Sequence, residues 1–148
     1  MLEESVATLK PGLEGTAALT VDEAHTAPRI GSGRVHVLAT PVMINLMEAA
    51  ALDAAEHLLP EGHQSLGTRI DVSHVAATPV GMAVRATAVV TRVDGNRITF
   101  RVAAHDQQDL IGEGTHERVI VDVTRFDARV SDKAQGRKTT RGCGASGR

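Results

Sequence analysis

The chain has no tryptophan and no tyrosine, and Phe100 and Phe126 are the only aromatic residues among its 148. A core built without them has to come from Val, Ile, Leu, Met and Ala. The scarcity also removes the stacking platforms that hold single-stranded nucleic acid. The formal net charge of -2 gives no basic surface for a duplex, so nucleic acid is not an expected partner. The one cysteine, Cys143, cannot close an internal disulfide, which points to a reducing, cytoplasmic setting. No run approaches the ~20 apolar residues of a membrane span. The start, MLEESVATLKPG, lacks the charged-then-apolar order of a signal peptide, so neither insertion nor export is expected. Phosphate-loop glycines, paired cysteines and a G-x-S-x-G elbow are absent too. His105 and His116 have no partner at ligand spacing, and neither a metal nor a cofactor is expected.

What is present fits one domain over residues 1–130, followed by a tail. Residues 14–23, with Thr16, Thr20 and Val21, read as a first strand. Residues 24–39, broken by Pro28, Gly31 and Gly33, read as a loop that can hold a short helical turn. Thr40 as N-cap and Pro41 at the first helical position open a helix that Pro60 and Gly62 end near Leu59. Its apolar arc, from Val42 through Leu58, is wider than a surface helix needs, so the helix should be largely enclosed.

Period-two alternation then takes over. Strands are expected over about 65–77, 82–93, 97–102 and 110–124, with Asp94-Gly95-Asn96 as a tight hairpin turn. Ile98, Phe100 and Val102 share one face. The expected fold is α+β, an antiparallel sheet wrapped around one long central helix, which is the hot-dog layout. Its free edges make a twofold homodimer the expected assembly. From Ser131 to Arg148 the Gly-, Ser- and Lys/Arg-rich text reads as a disordered tail.

Two polar residues fall on apolar faces: Glu48 on the flank of the helix, and His74 beside Ile70 and Val72 on the strand after it. A buried carboxylate needs partners or a raised pKa. Read singly, Glu48 is a boundary residue, His74 a core histidine and Thr40 a helix cap. Together, a hydroxyl, a carboxylate and an imidazole are the parts of acyl transfer with acid–base assistance.

At this point the text resembles a known family. A-T-P-V-M-I-N-L-M-E at 39–48, S-L-G-T-R-I-D-V-S-H-V-A-A-T-P-V-G at 65–81, A-A-H-D at 103–106 and I-G-E-G-T-H-E-R at 111–118 are similar to the fluoroacetyl-CoA thioesterases. The resemblance implies a hot-dog homodimer that hydrolyses short acyl-CoA thioesters to free acid and coenzyme A. It also implies Thr40, Glu48 and His74 as the catalytic group, with Gly67 and Arg118 beside the bound acyl group. Coenzyme A then enters only as part of the substrate. Family members selective for the fluorinated substrate close the acyl pocket with phenylalanines before the catalytic threonine. Here residues 24–39 hold Ile30, Val35, Val37 and Leu38 and no aromatic, so a general or different acyl preference is expected.

In the mechanism this implies, the thioester carbonyl meets free amides at the helix N-terminus. Glu48 supplies or activates the attacking oxygen, Thr40 orients it, and His74 moves protons. Two other readings stay open: a CoA-ester or small-ligand binding protein without turnover, and an enoyl-CoA hydratase, whose Asp/His pair is not found.

Overall fold

The computed structural model describes residues 8–137. Strand β1 (Glu14–Thr20) leads through a short 3-10 turn at Glu23–His25 to a single-turn helix α1 (Ala27–Ile30). The long helix α2 (Thr40–Ala55) follows, ending in a 3-10 turn at Glu56–Leu58. Then come β2 (His63–His74), β3 (Ala83–Asp94), β4 (Arg97–Asp106) and β5 (Leu110–Asp122), and a last helix α3 (Val123–Ala134). All pairings are antiparallel and the sheet order is β1-β3-β4-β5-β2. The expected order of strand, helix and four strands is therefore the one adopted.

Helix α2 lies across one face of the sheet. Met43, Leu46, Met47, Ala50, Ala51, Ala54 and Ala55 are buried against Val84, Ala86, Ala88, Val90, Ile98, Phe100 and Val102. Small residues let it come close: a side chain at Gly15 would collide with the backbone of Ala50 and Ala54. The enclosure is incomplete, because Asn45, Ala49, Leu52 and Asp53 face outward in a single copy. Leu52 is 38% exposed, so one copy encloses the helix less than its wide apolar arc predicted.

Several boundaries differ from the sequence reading: β1 ends at Thr20 rather than at 23, β2 spans His63–His74 rather than about 65–77, and β4 runs on to Asp106 rather than stopping near 102. The last strand stops at Asp122, whose carboxylate accepts the Arg125 N–H and so starts α3. Val119 and Val121 alternate as in a strand, but Val123, Phe126 and Val130 recur at helical spacing. Ser131 to Ala134, expected in the tail, complete this helix. Of the rest of the expected tail, Gln135 to Arg137 follow the helix as a turn and 138–148 lie outside the described residues. Among the described residues, no helix is long and apolar enough to cross a membrane.

Candidate active site

The helix start sits one residue earlier than expected. The chain enters α2 through a bridge between Thr26 and Leu38 and a hydrogen bond from Ala39 N–H to the His25 carbonyl. This makes extended Ala39 the N-cap and places Thr40 inside the first turn. The Thr40 hydroxyl therefore caps nothing. It lies 2.7 Å from His74 Nδ1, at the far end of β2. Burial lowers the His74 pKa, so the ring favours its neutral form. Its other nitrogen, Nε2, is buried and has no hydrogen-bond partner among the described residues.

The expected row of free amides shrinks to at most the N–H of Thr40. Val42 and Met43 N–H both turn onto the Ala39 carbonyl, and Pro41 has no N–H to offer.

Glu48, two turns further along α2, belongs to a second group built with β2 and β5. Its Oε2 lies 3.6 Å from an Arg118 terminal nitrogen and 3.9 Å from His116 Nε2. The carboxylate sits over Gly67, where a Cβ would run into Glu48 Oε2 and would stand 3.2 Å from His116 Cε1. Gly67 pairs with Arg118 across the β2–β5 ladder, next to a bulge between Gly67 and Arg69. The missing side chain is what admits the carboxylate.

Arg118 is buried and fully engaged. Its Nε donates to Ser65 Oγ at 2.7 Å, one terminal nitrogen donates to the Ser65 carbonyl at 3.1 Å, and the other donates to His116 Nε2 at 3.1 Å. Ser65 in turn gives its hydroxyl and its N–H to the two oxygens of Glu56, at 2.6 and 2.8 Å. Burial lowers the Arg118 pKa, opposed by the nearby charges of Glu48 and Glu56.

Thr40 and His74 thus form one pair, and Glu48, Gly67 and Arg118 another group. Both lie on the inner side, yet they stand apart. Gly67 and His74 are seven positions apart on β2, roughly 20 Å at the strand rise. Thr40 and Glu48 are eight positions apart on α2, about 12 Å at the helical rise. His116, Ser65 and Glu56 escaped the sequence reading. The available signal was the H-E-R alternation of β5, which puts His116 and Arg118 on the same face as buried Ile120.

The loop before Thr40 has no aromatic cover. Ala27 N–H bonds to the Val37 carbonyl and Leu38 N–H to that of Thr78, so the base is tied while residues 31–36 project outward. Val35 is 69% exposed.

Comparison with known proteins agrees with this architecture. A family model described as fluoroacetyl-CoA-specific thioesterase matches residues 21–124. A fluoroacetyl-CoA thioesterase from Streptantibioticus cattleyicolor is 47% identical over 97 residues, 66% of this chain and 70% of that protein. A solved structure of the fluoroacetyl-CoA thioesterase FlK is 38% identical, with a TM-score of 0.79 over 84% of this chain and 96% of that one. A thioesterase superfamily member from Thermus thermophilus is 31% identical, with a TM-score of 0.78 over 86% and 96% of the two chains.

Proposed function

The chain belongs to the fluoroacetyl-CoA-specific thioesterase family, and from that premise we propose a hydrolysis site that two copies of the chain complete together. The protein is a hot-dog thioester hydrolase acting on acyl-CoA. The observation that carries the two-copy reading is the separation of the Thr40–His74 pair from Glu48, Gly67 and Arg118 within one copy.

One carbonyl carbon cannot touch both groups across roughly 20 Å of strand. Strand β2, which bears His74 at one end and Gly67 toward the other, is also an edge of the sheet, β1 being the other. A long uncovered edge invites pairing. Antiparallel pairing of β2 with its twofold mate runs the His74 end of one strand toward the Gly67 end of the other. The outward Leu52 of α2 and Leu66 of β2 gain cover in the same assembly. A homodimer with two sites follows, each taking Thr40 and His74 from one copy and Glu48, Gly67 and Arg118 from the other.

In each site Glu48 provides the attacking oxygen, either its own or that of a water it deprotonates. In the water route Glu48 takes the water's proton as the new carbon–oxygen bond forms and passes it to Nε2 of His74, whose Nδ1–H is held by the Thr40 oxygen. The transiently protonated ring gives it to the departing sulfur as the carbon–sulfur bond breaks. In the covalent route the water that later cleaves the Glu48 acyl anhydride supplies that proton. The buried, unpaired Nε2 supports this role, since such a nitrogen costs about 1–3 kcal/mol until a partner arrives. With no aromatic over the 31–36 loop, the acyl preference is general rather than fluoroacetyl-selective.

The test is release of free thiol from a panel of acyl-CoAs, followed with a thiol-reactive dye. Short acyl-CoAs should be turned over by the parent and not by Glu48→Gln or His74→Ala. A Glu48→Gln protein at the parent rate would overturn the assignment, and binding without any thiol release would favour a ligand-binding protein.

A further inference from the structure

Behind Glu48 a polar chain joins Arg118 of the proposed site to Glu56, Ser65 and His116, three residues that the reaction itself does not use. It begins at Glu56, just past the end of α2, passes through Ser65 on β2 and ends at Arg118 and His116 on β5. Each hydrogen bond in it has a definite direction. Ser65 donates its hydroxyl to Glu56, so its oxygen lone pairs face the Arg118 Nε–H. His116 Nδ1 lies 2.8 Å from the Arg69 carbonyl, which can only accept, so Nδ1 carries the proton. Nε2 is then left as a bare acceptor toward the Arg118 terminal nitrogen. Phe100 stacks on the ring at a centroid distance of 5.9 Å and fixes its plane. Burial, reinforced by the Arg118 charge, keeps this imidazole neutral against the opposing pull of the Arg69 carbonyl, Glu48 and Glu117.

From this geometry we infer that His116, Ser65 and Glu56 are positioning residues that fix the Arg118 guanidinium so that it holds the Glu48 carboxylate over Gly67. The guanidinium has three nitrogens, and the chain sets all of them: Ser65 Oγ takes Nε, the Ser65 carbonyl takes one terminal nitrogen, and His116 steers the other to where it faces Glu48. Glu48 needs such a partner because its side chain is 40% exposed and has no hydrogen bond of its own among the described residues to fix its direction. A half-exposed carboxylate left to its rotamers spends little time on the attack line. Misplacement of a reacting group by about 1 Å can cost on the order of a hundredfold in rate. Bulk packing does not explain the arrangement, since a buried arginine tied to a serine and a neutral histidine is costlier to bury than an aliphatic residue of the same volume.

The inference rests on the thioesterase reading and makes claims of its own. In the full-length protein, His116→Leu and Ser65→Ala should each lower kcat on the order of ten- to a hundredfold, with KM for acetyl-CoA changed little. His116→Gln, which returns an acceptor of similar reach, should recover most of the lost kcat. In an Arg118→Lys background, His116→Leu should add almost nothing, because its route to Glu48 has already been cut. A residue that merely supports the fold would give additive losses, no rescue by Gln and a lowered melting temperature. Should His116→Leu fail to fold, Ser65→Ala and the Gln rescue still decide. Folded His116→Leu and Ser65→Ala proteins at parent kcat, or with raised KM alone, would overturn the positioning role. An active Glu48→Gln protein would instead remove the thioesterase reading beneath it.

Discussion

The Thr40 hydroxyl and His74 Nδ1 stand 2.7 Å apart, although one opens a helix and the other closes a strand 34 residues later. The contact exists because Ala39, not Thr40, occupies the N-cap position. Thr40→Ala should therefore leave the helix start intact and act on the imidazole. We predict a melting temperature within a few degrees of the parent, since no cap is lost. The value of kcat should fall at least about tenfold, and Thr40→Ser should retain most of it. Thermal unfolding beside steady-state thiol release measures both.

Gly67 tests the Glu48 placement from the opposite side. A methyl group there meets the tip of a flexible carboxylate and stands 3.2 Å from the edge of the His116 ring rather than against backbone, so the fold can accommodate it by moving Glu48 and a slight shift of the ring. Gly67→Ala should lower kcat/KM about a hundredfold, roughly 2.7 kcal/mol of transition-state stabilisation, while the urea midpoint moves little. A large stability loss with full activity in the surviving folded fraction would contradict this.

Two buried imidazoles make stability depend on pH in one direction. Burial lowers the folded-state pKa of both His74 and His116. Thr40 faces His74, while Arg118, Glu48, Glu117 and the Arg69 carbonyl act on His116. In the unfolded chain both titrate near about 6.5, so below that pH the unfolded state binds more protons than the folded one. Stability is therefore complete above about pH 6.5 and falls as the pH drops from there toward the lowered folded values. Urea midpoints at pH 8 and pH 5.5 check the sign, and His116→Gln should flatten part of the slope.

On the proposed reading, substrate choice follows from the absence of an aromatic in the loop before Thr40. Without an aromatic side chain over the acyl group, one fluorine has little to discriminate it. Fluoroacetyl-CoA and acetyl-CoA should have kcat/KM values within about tenfold of each other. A preference of several orders of magnitude would show that another element closes the pocket.

How much of this the sequence could tell follows from the reach of its patterns. Strict alternation at Ile98, Phe100 and Val102 gave the start and the inward face of β4 correctly, because sheet period and burial agree there, but stopped it short of Asp106. The same alternation ran the last strand too far, since Val123 fits a strand and a helix equally well until Phe126 and Val130 are included. Thr40 was misread as a cap because Pro41 tolerates either of the first two helical positions, and only the tie from Ala39 to His25 chooses between them. Glu48 and His74 stood out as polar groups on apolar faces. Glu56, Ser65 and His116 did not, because they meet through a strand pairing whose register no single segment contains.

Subunit complementation tests the two-copy site most directly. Thr40→Ala and Glu48→Gln chains, each strongly impaired alone, are unfolded together, refolded in equal amounts and assayed for thiol release from acetyl-CoA. If each site takes Thr40 from one copy and Glu48 from the other, one site of every mixed dimer is intact. Activity should then return to about a quarter of the parent value at statistical mixing. A mixture containing mixed dimers but no activity above that of the separate variants would contradict the account.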